Sequence, residues 1–83
     1  MQSFDPKTLT GGQLRAARAL VGISADELAR LTKLGVATIR RAESSDGAVA
    51  MTAANAERIV QALETAGVVF VGENGGGAGV RLR

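Results

Sequence analysis

Arg40 and Arg41 stand side by side behind a run of short side chains, Val36, Ala37 and Thr38. A guanidinium presents a planar fork of donors, which grips a phosphate or the paired acceptors O6 and N7 of a guanine edge. The short side chains can touch a thymine methyl or accept one hydrogen bond, and by themselves they read little. Neighbours on a helix diverge by about 100°, so the two arginines must take different tasks.

Other chemistry is thinly supplied. The 83 residues include no cysteine and no histidine, which removes disulfides, thiolate or imidazole metal sites and every nucleophile that depends on either residue. The carboxylates are scattered, and Asp26-Glu27 suits the first turn of a helix better than paired acid–base work. Gly75-Gly76-Gly77-Ala78-Gly79 is followed by no Lys-Ser/Thr and opens no helix, so it reads as a hairpin loop and not a phosphate cradle. No catalytic residue, metal site or cofactor is expected, and the chain is read as a binding protein and not an enzyme.

The elements that must position the arginines can be traced from caps and periodicity. Residues 1–9, with Pro6 and no apolar period, are expected to form a flexible arm. Thr10 and Gln13 make a capping box for a first helix, whose face is Leu14, Ala17, Leu20 and Val21 and whose end is Gly22. Ser24 and Glu27 repeat the box for a second helix carrying Leu28 and Leu31, with Ala29 small enough for close approach. Residues 32–35 are the expected break, with Gly35 supplying the unusual backbone angles. Residues 36–42 form the third helix, with Ile39 packed on Leu28 and Leu31 and with Val36, Ala37, Thr38, Arg40 and Arg41 facing outward. After a loop, Thr52 caps a fourth helix with the stripe Ala56, Ile59, Val60 and Leu63, which Gly67 ends in a left-handed conformation.

Beyond Gly67 the pattern changes to strands. Val68-Val69-Phe70-Val71 and Val80-Arg81-Leu82-Arg83 read as a hairpin, with Asn74-Gly75 as a turn signal. A lone pair of strands is marginal in water, so these strands are expected to pack on the helices, meet those of a second chain in a symmetric dimer, or both. The expected organisation is therefore a flexible arm over 1–9, a four-helix helix-turn-helix domain over 10–67, and a β extension for dimerisation over 68–83. The fold class is mainly α.

Residues 23–43, ISADELARLTKLGVATIRRAE, resemble the XRE family, the phage-repressor and Cro type of helix-turn-helix DNA-binding protein. Shared are the Ile-Ser start, Glu-Leu-Ala in the first helix of the unit, Ala-Thr-Ile-Arg-Arg in the second, and Glu43 three residues after Arg40. The resemblance covers residues 11 to about 63 and implies a recognition helix laid in the major groove of double-stranded DNA. It places Val36, Ala37, Thr38 and Arg41 at base edges and Arg40 at phosphate, and it pairs Arg18 with Glu43 as a structural ion pair. Ser24, at a helix N-terminus that favours anions, is a further candidate for phosphate, with Lys33 and Arg15. Three positions depart from the pattern: Ala25 replaces a backbone-contacting glutamine, Lys33 the turn glycine, and Gly35 the Ser/Thr cap.

Charge is distributed in keeping with this. Residues 15–41 hold six basic residues against Asp26 and Glu27, a net of +4, whereas residues 42–83 hold Arg58, Arg81 and Arg83 against five acidic residues, a net of −2. No apolar run reaches the ~20 residues of a membrane span, and the N-terminus lacks the order of a signal peptide. The sequence-level expectation is a cytoplasmic, sequence-specific transcriptional regulator, a repressor binding a palindromic operator as a homodimer. The alternative is a protein-interaction module on the same fold, such as an antitoxin or anti-activator with its own protein partner. Neither involves a membrane.

Overall fold

A computed structural model describes residues 4–73 and 75–83. It contains a 3₁₀ turn over Pro6–Thr8, four helices, α1 (Gly11–Val21), α2 (Ala25–Thr32), α3 (Val36–Glu43) and α4 (Ala53–Thr65), and two strands, β1 (Val68–Val71) and β2 (Gly79–Leu82). The domain is thus mainly α with a C-terminal antiparallel strand pair, as the sequence pattern predicts.

The caps behave largely as expected. Thr10 accepts from the Gln13 N–H while the Gln13 side chain accepts from the Thr10 N–H, and Gly22 closes α1 at φ 69°. Thr52 accepts from the Asn55 N–H to start α4, and Gly67 follows that helix at φ 114°. At α2 only half of the box forms: Ser24 accepts from the Glu27 N–H, and among the described residues the Glu27 carboxylate returns no bond.

Leu14 and Ala17 of α1, Leu28 and Ala29 of α2, Ile39 and Ala42 of α3, and Ile59, Val60 and Leu63 of α4 form one core, on which Val68 and Phe70 of β1 close. Ala56 is buried as well, so the whole predicted stripe of α4 faces inward. Leu31 and Leu20 depart from expectation, being 54% and 41% exposed. In α2 the inward stripe is Leu28, Ala29 and Thr32, which turns Leu31 about 100° away. Thr32 is tolerated inside because its hydroxyl donates to the Leu28 carbonyl at 2.8 Å.

The break between α2 and α3 also differs. Lys33, not Gly35, takes the left-handed conformation, at φ 61°, while Gly35 is an extended N-cap at φ −70°. Thr32 continues the helix, so the reversal must begin one residue later, at Lys33. The C-cap geometry there lets the Leu34 N–H reach the Ala29 carbonyl at 3.1 Å.

The expected flexible arm is packed from residue 4 onward. Asp5 caps the Pro6–Thr8 turn, Leu9 is fully buried, and Phe4 stacks on Phe70 with ring centroids 5.2 Å apart. Two aromatic or aliphatic side chains, Phe4 and Leu9, outweigh the lack of period in their surroundings. Residues 1–3 lie outside the described residues.

The strands pair in the register Val68↔Leu82, Val69↔Arg81, Phe70↔Val80 and Val71↔Gly79. Asn74 of the expected turn lies outside the described residues. Around it, the Glu73 carboxylate accepts from the Gly75 and Gly77 N–H groups at 3.0 and 2.8 Å, with both glycines at positive φ.

Candidate nucleic-acid interface

The third helix is anchored along one side and open along the other. Ile39 and Ala42 are buried and Val36 packs against the core, an i, i+3, i+6 stripe. Val36 is therefore turned partly inward, contrary to the expectation that it faces a partner. Ala37, Arg40 and Arg41 are exposed, and Thr38 lies half-buried between the two faces.

Arg40 reaches toward α2, where its guanidinium is 3.9 Å from the Asp26 carboxylate, with both side chains well exposed. An ion pair in that setting contributes little, ~0–1 kcal/mol, and leaves Arg40 available to a stronger anion. Among the described residues the Arg41 guanidinium makes no ion pair or hydrogen bond. Arg41 thus carries the least committed cation on the outer face of α3.

The end of α3 is held by two arginines of α1. Arg18 donates through Nε and Nη2 to the two carboxylate oxygens of Glu43, the latter at 3.0 Å, and through Nη1 to the Ile23 carbonyl at 2.8 Å. The two side chains are only 23% and 12% exposed. The hydrogen bond to Glu43 raises the Arg18 pKa, with Coulombic attraction adding to it and burial opposing it. The expected ion pair is present, and it also ties the loop before α2 to α1. Arg15, a candidate for phosphate, instead donates to the Glu43 carbonyl, where a cation complements the C-terminus of α3.

Lys33 is exposed at the turn that leads into α3, and Ser24 spends its hydroxyl oxygen on the Glu27 N–H. Ala25, at the glutamine position of the resembling family, is half-buried and packs against the core.

Three contributors went unseen in the sequence. Asp26 faces Arg40 from another helix. Arg58 of α4 donates to the Thr32 carbonyl at 3.5 Å, supporting the α2–α3 turn from behind. Gly11 allows α1 to touch the end of α3, since a Cβ there would lie 2.4 Å from the Ser45 carbonyl oxygen and 2.7 Å from that of Ala42. None belongs to a local motif, so no spacing rule could have found them.

Among the described residues there is no cluster of acidic, histidine or cysteine side chains fit to hold a metal, and no helix long and apolar enough to cross a membrane. No family model matches the chain, and no curated protein matches it.

Proposed function

We propose that this chain is a sequence-specific, double-stranded DNA-binding transcriptional regulator, a cytoplasmic repressor acting as a homodimer on a palindromic operator. The observation that carries the reading is the build of α3. Its inner stripe is locked into the core, its C-terminal end is clamped by Arg18 and Arg15, and its outer face offers Ala37, Arg40 and Arg41. Short side chains let such a helix sit deep in a major groove, and the arginines supply base-edge and phosphate donors. It acts by occupying DNA and not by catalysis, and no ligand-sensing module is needed for the action.

A gel shift against the DNA upstream of its own gene, with random duplex as competitor, tests this. The expected result is a shift at about 50 mM salt that random duplex displaces poorly and that weakens steeply toward 200 mM. No shift at the lower salt would overturn it and favour the interaction-module reading.

A further inference from the structure

We propose that Asp26 is the internal counter-ion of the DNA-facing surface: it holds the Arg40 guanidinium in the free protein, yields it to a backbone phosphate when DNA binds, and recaptures it on release. The assignment rests on the DNA-binding reading above and names what limits the affinity of that surface.

The two arginines of α3 differ in one respect. Arg40 has a carboxylate of α2 3.9 Å from its guanidinium, whereas Arg41 makes no ion pair or hydrogen bond among the described residues. Asp26 lies in the first turn of α2, behind the Ser24 cap, where the helix dipole favours a negative charge. Its neighbour in that turn, Glu27, is half-buried, which leaves Asp26 as the exposed carboxylate there. The aspartate side chain is short and sits on a helix packed against α3, so its charge stays beside Arg40 when the pair opens.

Such a pair exchanges readily. The two side chains are 66% and 77% exposed, and water screens most of their attraction. A DNA phosphate is the better partner, because its oxygens meet the planar guanidinium fork within the field of the neighbouring phosphates. Yet a phosphate seated on Arg40 comes within a Debye length of Asp26, ~10 Å at 0.1 M salt, and is repelled by it. Asp26 therefore opposes the complex twice, by competing for Arg40 and by like charge. Every sequence presents the same phosphates, so operator and random duplex are weakened alike. On dissociation the carboxylate is already in place to take the guanidinium back, which speeds release. A surface with few base-reading side chains gains from this, since backbone attraction would otherwise hold it on any duplex.

Equilibrium and stopped-flow anisotropy on the full chain at about 50 mM salt, with the DNA upstream of its own gene and with random duplex, test the assignment. Asp26→Asn removes the charge and keeps the shape. It should tighten binding to both duplexes by about fivefold, mainly through slower dissociation, whereas Asp26→Glu should stay within about twofold of wild type. In an Arg40→Ala background the same Asp26→Asn change should gain less than about twofold. Wild-type protein that binds neither duplex overturns the DNA-binding reading and this assignment with it. Where wild type binds, unchanged or weaker binding by Asp26→Asn overturns the assignment alone, and so does a gain that persists in full without Arg40.

Discussion

Gln13 and Val71 are 58 residues apart in the chain, and the side-chain amide of the first donates to the carbonyl of the second at 3.0 Å. The same nitrogen donates to the Gly79 carbonyl at 3.1 Å, while its oxygen completes the capping box with the Thr10 N–H. One buried side chain thus starts α1 and ties the hairpin to it. Gln13→Glu keeps the capping acceptor, yet faces a carboxylate oxygen toward two carbonyls. The expected loss is about 2–3 kcal/mol in urea unfolding, even though glutamate is a usual capping-box residue.

Gly11 and Gly12 form an internal comparison. Gly11→Ala should cost about 1–3 kcal/mol or prevent folding, because the new Cβ meets backbone oxygens of the α3 end and loop that cannot yield cheaply. At Gly12 the nearest atom to a Cβ is 3.8 Å away, so Gly12→Ala should raise stability by about 0.5–1 kcal/mol through helix propensity. Thermal unfolding of the two variants side by side measures the difference, and equal effects would contradict the packing described.

Replacing Glu43 by Gln should destabilise the fold by about 1–3 kcal/mol, since it leaves the partly buried Arg18 guanidinium without its counter-charge. The raised Arg18 pKa has a definite sign. Its contribution is fully present at every pH below the ordinary arginine value and is lost only as pH rises through the still higher folded value. Stability measured between about pH 7 and 9 should show no loss attributable to this arginine.

Lys33 holds a left-handed backbone at a position where a glycine would do so without steric cost. Lys33→Gly should stabilise the protein by about 0.5–1 kcal/mol while removing a cation beside the proposed DNA surface. The two effects separate in one variant: a higher midpoint in urea, with weaker DNA binding and a shallower salt dependence.

Arg41→Ala should weaken specific DNA binding by about 1–3 kcal/mol and relax base preference, whereas Arg40→Ala should weaken all duplexes alike and flatten the salt slope. Titrations against specific and random duplex distinguish them. Equal losses on both duplexes for Arg41→Ala would refute its base-reading role.

Much of the local architecture was legible before any tertiary contact was considered. Thr10 with Gln13, Ser24, Thr52, Gly22 and Gly67 mark helix ends because capping is a transaction among residues within four positions of one another. The stripe of α4 and the two strands followed from period alone. Local rules misled at Gly35, where glycine's freedom went unused, and at Leu31, an apolar residue that a short helix had no inward face left to bury. They also missed Phe4 and Leu9, whose burial depends on β1 and α4 arriving from the other end of the chain.

What the sequence determined by itself was the order, kind and approximate ends of the elements, because these depend on hydrogen bonds and side-chain periods that close over a few residues. Tertiary structure alone decided that Arg15 is spent on the Glu43 carbonyl, that Arg58 reaches the Thr32 carbonyl, and that Gln13 ties α1 to the hairpin. Those outcomes depend on contacts between residues 25 or more positions apart, where the spacing of residue types carries no geometric information until the core has closed.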